Sequence, residues 1–222
     1  NLIINGAMQV AQRGTSATNI TANGYHTVDR FKVARSGGMS YDHAQSTDAP
    51  EGFANSFKLS VNTADASLGS TDYTFITYSF EGQDVQHLKK GTSNAESVTL
   101  SFWVKCSKTG NVQVNLRDID NDRINARVFS IDSANTWEKK TLTYQGDTSG
   151  VLDNDNAESL RILWWIDTGS GFSSGTTPSD WEAKSNPDRA AGTTLAFANN
   201  TANELYITGV QLEVGSVATP FE

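Results

Sequence analysis

Apolar and polar residues alternate along most of this chain, and alternation with period two is the signature of strands that bury one face. In 97–106, SVTLSFWVKC, the positions Val98, Leu100, Phe102, Val104 and Cys106 form one apolar row. Nine further segments carry the same period: 27–35, 39–45, 56–62, 72–81, 111–118, 124–131, 136–144, 159–166 and 204–213. Turn-rich pieces such as RSGG, SKTGN, DIDND and GDTSG separate them,. Helical periodicity is confined to GQDVQHLKKG, where Val85 and Leu88 stand three apart between two glycines,. Many short alternating strands predict an all-β protein, an antiparallel two-sheet jelly-roll sandwich with one short helix. The stretch 167–202 is rich in Gly, Ser, Thr, Asn and Pro and reads as one long loop,. No other linker divides the chain, so residues 1–222 are expected to form a single domain.

The polar rows contain anomalies. Thr99, Ser101, Trp103 and Lys105 share the outward row of their strand, and Trp103 is out of place in water. In RILWWID, a core row of Leu160, Ile162, Trp164 and Ile166 turns Leu163 and Trp165 outward. Two outward tryptophans joined by Leu163 are too much apolar surface to be random scatter. Three coverings are open. The loop 167–202, with Phe172 and Trp181, folds over them; or Trp103, Leu163 and Trp165 form a subunit interface; or the indoles form a platform on which sugar rings stack. Covering by protein is expected before sugar for Trp103. Trp181 lies in the loop among Asp180, Glu182, Lys184, Asn186 and Arg189, a setting that suits either glycan contact or plugging of the loop onto the core,.

Charge narrows the partners. Seventeen basic against 25 acidic side chains give −8, which repels phosphate backbones, and Lys89–Lys90 is only a basic pair. Nucleic acid is therefore not an expected partner. No apolar run approaches the roughly 18 residues of a membrane span, so no membrane insertion is expected. One cysteine, Cys106, sits on an inward row as a small buried thiol,. The chain opens NLIING and reads as part of a longer polypeptide.

Three stretches carry a resemblance. NLIINGAMQVAQRGTS at the start, VTLSFWVKCSKTGNVQV with NTWEKKTLTYQGDTSG in the middle, and ELYITGVQLEVGSVATPFE at the end resemble bacteriophage virion proteins: tail-fibre or related appendage subunits with a jelly-roll domain. The middle stretch is similar to carbohydrate-binding modules, with Trp137 following the polar turn DSANT. The resemblance implies a homotrimer on the virion exterior, in contact with other virion proteins and with bacterial surface glycans. Two alternatives stay open: a carbohydrate-binding module attached to an enzyme, and a capsid-decorating or head-fibre protein without host recognition. The resemblance to these modules also implies an aspartate in the last strand as a structural calcium ligand, but Thr208 stands there.

Catalytic and metal-binding patterns are sparse. His26, His43 and His87 are isolated, and no serine occupies a G-x-S-x-G elbow,. No enzymatic activity and no cofactor are expected. Asp118, Asp120 and Asp122 begin a calcium-loop pattern, but Arg123 and Phe129 replace its required glycine and acid,. Asp153, Asp155 and Glu158 are the better candidate metal ligands, in a loop that can add carbonyl oxygens,.

Overall fold

The computed structural model describes residues 1–222. Two six-stranded antiparallel sheets pack face to face. The strands are β1 (Ser16–Ile20), β2 (Lys32–Ser36), β3 (Ser40–Ser46), β4 (Ser56–Thr63), β5 (Tyr73–Glu81), β6 (Val98–Cys106), β7 (Gly110–Asp118), β8 (Arg123–Ile131), β9 (Glu138–Tyr144), β10 (Glu158–Thr168), β11 (Glu182–Ala183) and β12 (Glu204–Val214). The first sheet has the order β1-β3-β4-β12-β6-β9 and the second β11-β8-β7-β10-β5-β2. The chain crosses repeatedly between sheets, as in β5 to β6 and β6 to β7. This is an all-β jelly-roll sandwich. Each of the ten alternating segments contains a strand; β1 and the two-residue β11, which lack apolar alternation, were not foreseen.

The alternation works as the pleat requires. Val98, Leu100, Phe102, Val104 and Cys106 are all buried. They join one contiguous cluster of 39 side chains between the sheets, with Leu160, Ile162, Trp164 and Ile166 facing them from β10. At about 25 cal/mol per Å² of apolar surface, this cluster is the main stabilising term. Two tyrosine hydroxyls tie the sheets across it: Tyr41 to Thr74 at 2.7 Å, and Tyr144 donating to the Val114 carbonyl at 3.0 Å.

The expected helix around Val85 and Leu88 is instead two successive 3-10 turns, Gly82–Asp84 and Gln86–Leu88. Lys89, with φ +51°, ends the second in the left-handed region. Both apolar residues are nevertheless buried. The one α-helical turn, α1 (Ser170–Ser173), lies inside the long loop.

That loop answers half of the tryptophan question. It lies on the outer face of the second sheet and buries Leu163 and Trp165 with Ala34, Phe75 and Ala190, while Tyr73 and Phe172 flank them. Two buried amides on β7 hold it there. Gln113 donates to the Asp188 carbonyl at 2.9 Å and accepts from the Gly192 N–H at 2.8 Å, and Asn115 donates to the Arg189 carbonyl at 2.7 Å. The Arg189 guanidinium lies 4.9 Å from the Trp165 ring centroid. Burial, then repulsion from Arg117, pushes its pKa down to about 10.

Candidate glycan-contact face

Trp103 belongs to the other half of the molecule. It lies on β6 in the first sheet, opposite Lys139 and Thr208, whereas Leu163 and Trp165 lie on β10 in the second. The expectation that Trp103, Leu163 and Trp165 share one outward surface is therefore corrected. The sandwich separates them onto opposite outer faces, and the chain's own loop fills the space over Leu163 and Trp165. Neither of these two is free for a subunit interface or, in the case of Trp165, for a sugar.

Half-buried Trp103 has a different neighbour, the β3–β4 connection 47–55. A bulge interrupts the pairing of β12 with β6 between Thr208 and Gln211. At its centre Gly209 adopts φ +60°, and a Cβ there would lie 2.6 Å from the Phe53 ring and 3.1 Å from that of Trp103. Only glycine meets both demands. Thr208, which stands where a calcium-ligating aspartate was implied, donates its hydroxyl to the Asn55 carbonyl at 2.7 Å and so fastens the 47–55 connection.

Beside Trp103 the outer face of the first sheet gathers aromatic rings and charges. Alternation along β12 places Glu204, Tyr206 and Thr208 on this face, and alternation along β6 adds Lys105. The turn before β9 presents Trp137, with the Glu138 carboxylate accepting the backbone N–H groups of Asp132 and Ser133 at 3.0 and 2.9 Å. Trp137 and Tyr206 meet edge to face with centroids 6.2 Å apart. The Lys105 ammonium lies 4.4 Å from the Tyr206 centroid and 5.5 Å from that of Trp137, and Lys58 approaches Tyr206 at 5.3 Å. Such cation–π contacts orient rings and ammonium groups together.

Carboxylates complete the cluster. Asp48 pairs with Lys105 and accepts the Trp137 indole N–H at 3.1 Å. Glu204 pairs with Lys58 at 2.7 Å and accepts the Tyr206 hydroxyl at 2.6 Å. Burial pushes the Asp48 and Glu204 carboxyls up, but their lysine and aromatic partners outweigh it, and both end below the usual carboxylate range. They are therefore charged acceptors at neutral pH. Tyr206 is only 7% exposed, with both lysines against its ring, so half-buried Trp137 is the ring left open. A flat ring bordered by fixed donors and acceptors suits the two sides of a sugar, whose C–H face stacks while its hydroxyls seek partners. Asp48, Lys58, Glu204 and Tyr206 were not singled out from sequence; the alternation of KLS and ELYITG carried a signal for Lys58, Glu204 and Tyr206, whereas Asp48, in the 47–55 connection, had none.

Trp181 is placed differently. It packs against the main core, its indole N–H donates to the Gln145 carbonyl at 2.8 Å, and the Lys90 ammonium stands 4.9 Å from its ring centroid. This is a plug, with its polar edge spent inside the chain.

The metal candidates are not brought together. Glu158 pairs with Arg161 and accepts from Ser79, and Asp155 accepts the Ala157 N–H. The Asp153 backbone N–H donates to Asp120. Asp118 pairs with Lys90, and Asp122 with Arg117 and Lys184. No group of three or more His, Cys, Asp or Glu side chains is placed to hold a metal ion. The expectation for Asp153, Asp155 and Glu158 is corrected on this geometry: the Asp155 and Glu158 carboxylates are engaged by different partners, and no group of three carboxylates forms around Asp153.

A cleft of about 400 Å³ lies between the 3-10 turns and Val151–Leu152. Its polar groups are largely committed: Gln86 donates to three carbonyls, Lys89 pairs with Glu96, and Lys90 is caged by carboxylates. The first sheet's outer face is the better candidate.

No protein-family model and no curated protein matches the chain. Among solved structures, a CBM4 structure is 13% identical with a TM-score of 0.49, the match covering 96% of this chain and 99% of that one. The family 11 carbohydrate-binding module from Clostridium thermocellum, in complex with a β-1,3-1,4-mixed-linked tetrasaccharide, is 12% identical at a TM-score of 0.41, covering 92% and 97%. The enzymatically active domain of bacteriophage CBA120 tailspike protein 4 is 11% identical at 0.47, covering 96% of this chain and 21% of that one.

Proposed function

We propose that this chain is a non-catalytic glycan-contact module, and that the outer face of its first sheet is the contact surface. One observation carries the reading: half-buried Trp137, in the turn before β9, and half-buried Trp103 stand at the outer face of the first sheet around buried Tyr206, bordered by Lys58, Lys105, Asp48 and Glu204. In this arrangement a sugar ring stacks on Trp137 and its hydroxyls are bonded by Lys105 and Asp48. Since the lysines and carboxylates already neutralise one another, the face favours uncharged sugars over strongly charged ones.

The resemblance of the terminal and middle stretches to phage appendage proteins supports placing this module on a virion exterior, as a homotrimer among other virion proteins and facing bacterial surface glycans. With Leu163 and Trp165 covered by their own loop, the trimer rests on that resemblance alone. Sedimentation of the isolated chain tests it, with three chain masses expected.

The glycan reading is tested by Trp137→Ala on a glycan array and by calorimetry with the best neutral oligosaccharide. Loss of at least tenfold in affinity with an unchanged melting temperature is the expected result. Undiminished binding by Trp137→Ala and by Tyr206→Ala would remove this face as the site.

A further inference from the structure

We propose a second binding site, for a carboxylate-bearing sugar residue such as a hexuronate, in the cleft formed by Gln12, Arg13, Tyr25, Asp29 and Arg30. The cleft holds about 320 Å³, at the small end of ligand pockets and suited to one sugar ring. It shares no residue with the sheet face, so it stands or falls independently of that reading.

Four observations converge on an anionic sugar. The first is charge: two guanidinium groups face one carboxylate, a local excess of positive charge on a chain whose net charge is −8. The second is bracing. Asp29 Oδ1 accepts from Arg13 at 3.1 Å and from the Gln12 backbone N–H at 3.3 Å, which holds the Arg13 fork in place. Asp29 Oδ2 has no hydrogen-bond partner within the chain and is open to a hydroxyl.

The third is Arg30. Its side chain is exposed and has no ion pair, hydrogen bond or ring contact, whereas the other arginines without an ion pair are engaged: Arg35 and Arg127 donate to carbonyls of the chain and Arg189 lies over Trp165. Its backbone has φ +72°, a left-handed conformation that arginine rarely adopts,. Hydrogen bonds at the preceding residue hold it there: the Asp29 carbonyl accepts from Asn5 Nδ2 and its N–H donates to the Val10 carbonyl, both at 3.0 Å. Strain kept at an unpaired charged residue is a mark of binding sites. The fourth is Tyr25, 39% exposed, with the Arg13 guanidinium 5.6 Å from its ring centroid. The ring offers a flat surface for the C–H side of a sugar.

The chemistry is selective. Arginine meets a carboxylate with two parallel hydrogen bonds in a planar fork. A neutral hexose of the same shape leaves Arg30 without that partner.

The test is NMR titration of the whole chain with galacturonate, galactose and inorganic phosphate. Saturable shifts at the amides of Gln12, Arg13, Asp29 and Arg30 are expected with galacturonate and not with galactose. Arg30→Gly suits the left-handed backbone while removing the guanidinium; it should weaken galacturonate at least tenfold with the fold intact, and Trp137→Ala should leave galacturonate binding unchanged. The proposal is overturned by the absence of shifts in the cleft, by equal binding of galactose, or by loss of galacturonate binding in Trp137→Ala. Phosphate binding as tightly as galacturonate, with Tyr25→Ala without effect on either, would reduce the cleft to a simple anion site and overturn the sugar assignment.

Discussion

The Lys90 ammonium stands 2.5 Å from the Asp118 carboxylate, and both side chains are buried. Asp147 at 2.9 Å and the carbonyls of Ser149 and Gly150 at 3.0 and 2.9 Å complete an oxygen cage around it. Arg123 supplies the second positive charge on Asp147, so two cations balance two carboxylates. Removing one member of a buried pair leaves the other uncompensated, at a cost of about 3–5 kcal/mol. Lys90→Met should therefore lower the melting temperature by roughly 10 °C. Calorimetric unfolding of the two proteins checks it, and a change under about 2 °C would show that the cage contributes little.

The same cage resembles a cation site already filled by a lysine. Two carboxylates and two carbonyls are ligands of the type calcium takes. In Lys90→Ala they face a gap, and millimolar calcium should raise the melting temperature of that variant while leaving the parent unmoved. Equal responses in both proteins would mean that the gap does not take up the ion.

Among the many hydrogen bonds that tie the long loop to the second sheet, those of buried Gln113 and Asn115 hold its 188–192 stretch. Asn115→Ala removes the donor to the Arg189 carbonyl at a buried position, worth about 1–3 kcal/mol. Limited proteolysis should then cut between 170 and 192 well before the sandwich unfolds, because local opening costs less than global opening. Parent-like resistance would indicate that the aromatic packing of Phe172 and Trp165 suffices alone.

Much of this architecture was legible because a strand's period leaves little freedom. Once Leu100 and Phe102 face the core, Trp103 must face away, and the structure obeys. What the period cannot supply is which sheet a strand joins. Trp103 and Trp165 have the same outward logic, yet β6 and β10 lie in opposite sheets, so two residues that read as one patch are separated by the thickness of the sandwich. The cluster around Tyr206 was hidden for a related reason. Asp48, Lys58, Lys105, Trp137 and Glu204 come from five segments, and only the strand order β4-β12-β6-β9 brings them together. The Lys90 cage escaped as well, since Lys89–Lys90 reads as an ordinary solvated pair.

His43 gives the fold a weakness in acid. It is buried against Phe57 and His26, with ring centroids 5.8 and 5.1 Å away, and its Nε2 has no partner. Burial, then repulsion from His26, lowers its pKa to about 4 from an ordinary 6.5, with Asp42 opposing. The unfolded chain thus binds a proton between these values that the folded chain refuses, so stability is full above pH 6.5 and declines as pH falls toward 4. A shift of this size is worth about 3 kcal/mol at most. His43→Gln should flatten the melting temperature between pH 6.5 and 5, above the range in which the paired carboxylates begin to titrate. An unaltered pH profile would assign the acid lability to other groups.

Trp181 separates packing from recognition. Its ring rests on the main core, its N–H bonds the Gln145 carbonyl, and Arg123 holds its carbonyl at 3.2 Å. Truncation to alanine removes that packing and leaves the Gln145 carbonyl and the Lys90 ammonium without the indole. Because the side chain is only partly buried, the cost should be near the low end for a tryptophan, about 3 kcal/mol, or roughly 5–10 °C in melting temperature. Affinity for any glycan bound at Trp137 should not change at a temperature where the variant is folded, since Trp181 lies against the second sheet's edge and not on the first sheet's outer face. Melting and binding measured on one preparation decide between the roles: a stability loss with intact affinity identifies a plug, and lost affinity with unchanged melting would make Trp181 the sugar-contacting residue instead.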